Sequence, residues 1–420
     1  MIETVVATAI FVVVMMITGA AFKTVLSKVS LVNKSEESNI EGVVGLEMFR
    51  HDIEQAGFGL PDSLLNTSVS VSYSEAGYSP VSTYNDAPSN MPRAIVGGND
   101  LAGISDSNAE NGVTYSVLTG TDYLALKATS LGITSAAQNW TYISSGGSNL
   151  TQWAGVNLNA NDQVIVINRT FPTSPGPSNQ LVNPTSSSYW TTYNSAGLGT
   201  NYSPVQAGQL FYVYGVQSYS SGGSNTLGMP FNRADYFVAT PHDNSLPTSC
   251  APGSGILYKA IVNHKDGKLT YYPIMDCVAD MQVVLGWNLG DSSQNLVTSN
   301  YATGSGVVDT WTNADGTLAS SSLSLPSQNY VQQKILSDPA HIRTKLKLVK
   351  VYILAQVGHK DPNYTSPASI QMYEPNQPES SIVRQTNSPS GFYNLPSSML
   401  NYRWKVYRLV VKPNNLISNQ

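Results

Sequence analysis

Charge is what this chain has least of. Only 12% of its 420 residues are Asp, Glu, Lys or Arg, and the net charge is −5, whereas about a quarter of an ordinary soluble domain is charged. Its surface must therefore be wetted mainly by Ser, Thr, Asn, Gln and Gly. Disorder is excluded, because it needs high net charge and few aromatics, and Tyr alone numbers 24. So weak and acidic a charge argues against nucleic-acid binding by the chain as a whole, and no nucleic-acid partner is expected. Two cysteines exclude a disulfide-framework mini-protein, a four-cysteine zinc site and covalently attached haem. The five histidines (His51, His242, His264, His341, His359) are scattered and form no H-E-x-x-H pair. Nucleophile elbow, phosphate loop and dinucleotide glycine pattern are all missing from the sequence. The expectation is a protein that is no enzyme and carries no cofactor or metal. The stretch Asp309-Thr-Trp-Thr-Asn-Ala-Asp-Gly316 sets oxygen donors at alternate positions. It lacks the rest of an EF-hand, so a plain turn is the better reading and a calcium loop the lesser.

What is abundant gathers at the N-terminus. Thr4 to Phe22 is a run of 19 residues without a charge, about 28 Å of helix and close to the hydrocarbon thickness of a bilayer. Glu3 precedes it, and Lys23, Lys28 and Lys34 follow. A secretory signal would carry its positive charges in front of the run and a cleavage site behind. The arrangement here is the reverse, and predicts a segment retained in the mature protein.

No proline interrupts Lys23 to Ala56, and the breaker run Gly57-Phe-Gly-Leu-Pro61 follows. The pattern predicts that the helix continues to about residue 56, a rod of about 54 residues and on the order of 80 Å. Leu46, Phe49, Ile53 and Ala56 fall on one face; Ile40, Val44 and Met48 fall on another. Two apolar faces imply two partners. One stripe would cover the protein's own sheet, and the other must meet something else. Glu47 with His51 and Arg50 with Glu54 are spaced as helical ion pairs.

Met1-Ile-Glu-Thr-Val-Val-Ala7 resembles the start of a type IV pilin, whose mature N-terminus reads aromatic, Thr, apolar, Ile, Glu and then a hydrophobic helix. Met48-Phe-Arg-His-Asp-Ile-Glu-Gln-Ala-Gly-Phe-Gly-Leu60 is similar to the helix end of the PilW-like minor pilins. Weaker matches follow in the same order as in that family: Asp235-Tyr-Phe-Val, Gly255-Ile-Leu-Tyr-Lys259, Val278 to Gly286, Lys345 to Leu354, and Tyr402-Arg-Trp-Lys-Val-Tyr-Arg-Leu-Val-Val-Lys. Met1 stands where the family has its third mature residue. The resemblance implies a homo-oligomeric helical filament, with other pilins and the inner-membrane assembly machinery as partners. The apolar helix would sit in the inner membrane first and in an extracellular pilus afterwards. Glu3 would neutralise the N-terminal amine of a neighbouring subunit, since a carboxylate in apolar surroundings costs several kcal/mol unless paired. Thr4 belongs to the same assembly motif, and Gly19 marks partial melting of the helix around Thr18 to Ala20 on assembly. A minor PilW-like component that primes assembly or sits at the tip, and a type II secretion pseudopilin, are the alternatives.

The remainder reads as β structure. Asp122–Ala128, Gln163–Asn168, Leu210–Tyr214, Tyr236–Ala239, Ile256–Val262, Leu269–Tyr272, Val278–Gly286, Lys345–Gln356 and Arg403–Val411 are strand candidates. Asp266-Gly267 carries a hairpin signal. The fold expected is α+β: a long N-terminal helix (1–60) on an antiparallel sheet head, with a β-rich insertion and Ser/Asn/Gly/Tyr-rich loops over 61–250 and a C-terminal sheet part over 251–420. An exported chain would pair Cys250 with Cys277. Lys334 to Lys412 carries a balance of +7 against −12 elsewhere; charge on edge strands such as Arg403 and Lys405, or Lys345 and Lys347, would guard against unwanted pairing. Tyr189, Trp190, Tyr193, Tyr202, Tyr212, Tyr214 and Tyr219 cluster among small polar residues, a mixture suited to an adhesive surface.

Overall fold

The computed structural model describes residues 15–16, 42–78, 81–145, 150–153, 155–170, 178–185, 188–221, 223, 225–243, 245–298, 304–374, 377 and 391–416. Its strands of five residues or more are β1 (Tyr123–Ala128), β2 (Trp140–Ser144), β3 (Gln163–Thr170), β4 (Leu210–Gln217), β5 (Asn232–Pro241), β6 (Gly255–Val262), β7 (Leu269–Trp287), β8 (Leu346–Val357) and β9 (Arg403–Val411). Among the described residues the α-helical segments longer than one turn are α1 over 42–55 and α2, Pro339–Lys345, with a π-helical turn at Val331–Ile335 and several short 3-10 turns.

Eleven strands form the principal sheet. Its spine runs β1-β5-β6-β7-β8-β9, antiparallel throughout, and takes strands from both sides of residue 250. A second sheet of six strands has β2, β4 and β3 side by side, with the short strands Ser178–Leu181 and Ser63–Leu64 beyond β3. The Asp-Gly hairpin forms as expected, with Val262 opposite Leu269 across the turn. β1 departs from its period-two reading: all six residues are buried, because helix and loops cover one face and the sheet's own core the other.

β7 joins two strand candidates into one strand of 19 residues. Its first half pairs with β6 and its second half with β8. The register shifts where it changes partner, and Cys277 there has φ +54°. An extra residue in left-handed conformation bends the strand and turns its edge. Cys250 and Cys277 form a disulfide at this bend, with Cα atoms 4.9 Å apart.

The expected α+β molecule led by a long helix is corrected. The described residues are mainly β, in sheets of eleven, six and two strands, and the described part of α1 is 42–55. Most of the expected rod, 1–14 and 17–41, lies outside the described residues. The physical reason for the β excess is compositional. After Pro61 the chain is poor in Glu, Lys, Leu and Ala in helical register, and rich in Thr, Val, Ile and Tyr, which fit a pleated, half-buried surface. The helix stops where the breaker run predicts: Gly57 has φ +87° and its N–H donates to Lys127 O at 2.9 Å.

The main core lies between α1, the principal sheet and one face of the six-stranded sheet. A second core fills the other face of that sheet around Val164, Val166, Phe211 and Val213. A third lies under the segment that precedes β9, around Tyr352, Tyr373 and Met399.

Candidate functional site: the helix seat and the buried ion cluster

α1 is held on the sheet by shape and by one ion pair. Leu46, Phe49, Ile53 and Ala56, the stripe predicted to cover the sheet, are all buried. Phe49 stacks on Tyr236 of β5 with ring centroids 3.9 Å apart and planes 10° from parallel. One turn on, Asp52 accepts from Lys259 Nζ at 2.5 Å and from the Tyr236 hydroxyl at 2.6 Å. Burial, and then the Asp52 carboxylate, push the Tyr236 phenol well above its usual range, so it stays a donor. Gly45 makes the close approach feasible: a Cβ there would stand 2.3 Å from Ile274 O. Arg50 reaches both Glu47 and Glu54 on the solvent side.

The second stripe stays open. Val44 is 63% exposed, Val43 55% and Met48 46%. They form an apolar strip along the side of α1 turned away from the sheet; Ile40, the first member of that stripe, lies outside the described residues.

Behind the seat, residues 71–78 and 81–93 are pinned to the sheet by charges that are buried except for Arg93, which is partly exposed. Lys127 Nζ lies 2.8 Å from Glu75 and 2.6 Å from Asp86, and Arg233 lies 2.9 Å from Glu75 and 2.8 Å from Asp235. Tyr123 donates to Asp235 at 2.6 Å, and Arg93 closes the set on Asp86 at 2.5 Å. Burial alone would raise the Asp86 carboxyl, but Lys127 and Arg93 outweigh it and hold the group below its usual value. Each charge is met by opposite charge and hydrogen bonds, so removing one member strands the rest. The cluster acts as a clamp between these segments and the sheet. Sequence reading missed it. The available signal was a lysine inside Tyr123-Leu-Ala-Leu-Lys-Ala128, and Arg233 and Asp235 inside an apolar strand.

Glu3, Thr4 and Gly19, the residues that the pilin resemblance marks for assembly, lie outside the described residues, as does the segment expected to melt. Cys250 and Cys277 are paired as expected. Asp309 accepts from the N–H groups of Leu289 and Gly290, and Asp315 from that of Thr317, in the turn between short strands. The stretch is thus a short strand, Thr310–Asn313, that runs into a turn. Among the described residues no group of three or more His, Cys, Asp or Glu side chains could hold a metal ion. Nor, among them, is any helix long and apolar enough to cross a membrane.

Two surface expectations change. Lys345 belongs to the end of α2 and is buried, not on a strand with Lys347. β9 pairs only with β8 among the described strands and exposes Arg403, Lys405 and Arg408, a charged edge. Of the proposed aromatic adhesive loop, Tyr189, Tyr193 and Tyr202 are core residues. Their rings fill space that the small polar neighbours leave, and the hydroxyls of Tyr189 and Tyr202 satisfy backbone carbonyls.

The fold and these sites define a mainly β protein with a seated helix, an internal ion clamp and one disulfide. Compared with protein families, curated proteins and solved structures, the chain matches none.

Proposed function

We propose that the chain is a structural subunit of a type IV pilus-like extracellular filament, assembled through its apolar N-terminal segment. The observation that carries this reading is the division of labour on α1. One apolar stripe is spent on the sheet, while Val43, Val44 and Met48 remain open on the element that follows the uncharged run Thr4–Phe22. An open strip on an element that follows such a run in the chain suits packing among neighbouring helices, where both lose contact with water. Glu3 supports the same reading, as a carboxylate that needs a partner once its surroundings are apolar. The disulfide fits a head that works in an oxidising space. Before assembly the apolar run would reside in the inner membrane.

The test is mass spectrometry of surface filaments sheared from cells, with Val44→Glu beside the wild type. A dominant band of this chain, lost in Val44→Glu while the protein itself accumulates normally, is the expected result. A trace band would point to the minor, priming subunit, and absence from the fibres would overturn the proposal.

A further inference from the structure

On one face of the six-stranded sheet a row of aromatic rings runs from the main core, against which Tyr214 packs, out to the partly exposed Trp140 and Trp153. Trp140 of β2 stands opposite Tyr214 of β4, and Tyr142 opposite Tyr212; cross-strand partners share a face. Trp153 runs beside the outer edge of β2, where its indole N–H donates to Trp140 O at 2.6 Å. Its ring centroid lies 5.1 Å from that of Trp140 and 5.8 Å from that of Tyr142. Trp140 and Trp153 nevertheless keep 36% and 40% of their surface in solvent. The indole of Trp153, with its one polar group already bonded inward, presents only hydrocarbon edge and π face outward. Large rings fixed in place and left exposed mark a contact surface.

The row does not end in open solvent. Tyr214 meets Phe58 edge-on at 5.3 Å and forms a wall of a cleft of about 130 Å³, with Arg169, Asn179, Arg343 and Asn415 among its other walls. Rings and cleft are therefore one surface, apolar at one end and rich in amide and guanidinium groups at the other. A ligand that matches both needs flat C–H faces for the rings and many hydroxyls for the cleft. A pyranose has both: its axial C–H bonds meet the negative face of an indole, and its hydroxyls accept from guanidinium N–H and exchange hydrogen bonds with amides.

Charge and shape narrow the choice. A single nucleic-acid strand also stacks on aromatics, but it needs a basic track along its phosphates. Asn157, which is hydrogen-bonded to the Trp153 backbone, is uncharged; the basic groups of the cleft are Arg169 and Arg343, and Arg343 is paired with Asp62, which leaves too little positive charge for a phosphate track. Trp153 is tilted 59° from Trp140, and Tyr212 40°, so the rings do not make the flat platform that a crystalline polysaccharide face requires. We infer that this shelf binds a soluble, twisted glycan chain, with pyranose rings on Trp140, Trp153 and Tyr212 and hydroxyls turned to Arg169 and Asn179. The inference goes beyond filament assembly and does not depend on it.

Native affinity electrophoresis of the full chain in detergent, through gels cast with laminarin or glycogen, tests it. Retardation in at least one gel is expected, weakened roughly tenfold or more in Trp140→Ala/Trp153→Ala, which removes two stacking rings. Val205→Ser, an exposed apolar residue elsewhere, should migrate as wild type. Titration of the wild type with laminarihexaose and maltohexaose should change its tryptophan fluorescence saturably, a readout that stands even if the double variant fails to fold. No retardation in either gel with no fluorescence change, equal retardation of a folded double variant, or a shift by a twelve-residue oligothymidylate without one by sugar would each overturn the inference.

Discussion

The seat of α1 can be tested by a double-mutant cycle on Asp52 and Lys259. Their side chains are only 7% and 9% exposed, and the Nζ–Oδ2 distance is 2.5 Å, so water screens the pair poorly. Asp52→Asn keeps an acceptor for the Tyr236 hydroxyl but leaves the Lys259 ammonium buried and uncompensated. Lys259→Met leaves the Asp52 carboxylate in the same state. Breaking a buried pair from one side costs roughly 3–5 kcal/mol; the residual exposure places each single variant near the lower end. The double variant strands neither charge and should lose only about 1 kcal/mol. Because α1 lies at the margin of the core, the cost should appear as local opening rather than global unfolding. Hydrogen–deuterium exchange of the α1 amides is therefore the assay. About 3 kcal/mol corresponds to exchange over about a hundredfold faster in each single variant, with most of that protection restored in the double. If the two single effects simply add in the double variant, the pair is not coupled and the account of the seat is wrong.

Two further outcomes follow from the same structure. Burial pushes the His264 imidazole down to about 4, with Nε2 held 3.0 Å from Asn232 Oδ1. Between the ordinary histidine value of about 6.5 and that lowered value the unfolded chain binds the extra proton. Stability should thus be complete above pH 6.5, fall by about 2–3 kcal/mol as pH drops toward 4, and level off below. His264→Gln should remove that part of the slope in urea titrations between pH 4 and 7, and an unchanged slope would refute the assignment. Opening the disulfide by Cys250→Ser/Cys277→Ser frees a loop with a sequence separation of 27. The chain-entropy estimate for that loop is about 3–4 kcal/mol. A lower urea midpoint at unchanged slope is expected, and a midpoint equal to wild type would contradict it.

Much of this protein is legible along the chain because the relevant forces are local. Alternating and β-branched runs located the labelled strands to within a few residues, except that β2 was missed and β7 was read as two pieces. Asp266-Gly267 located the hairpin, and Gly57 to Pro61 located the end of α1, since each depends on backbone preferences a few residues wide. The two stripes of α1 were equally visible, because helical periodicity is a property of spacing alone.

Which partners those elements take was settled only in three dimensions. The sequence marks Lys127, Arg233 and Asp235 as oddities inside apolar strands, but Glu75 and Asp86 reach them across more than forty residues of chain, and no local pattern encodes that meeting. Tyr189 and Tyr193 look as available for contact as Trp140 and Trp153, since each sits among small polar residues; the first two are buried because they fall into the main and second cores. Local chemistry specified the pieces, and long-range burial of charge and apolar surface, which depends on every neighbour at once, decided their arrangement.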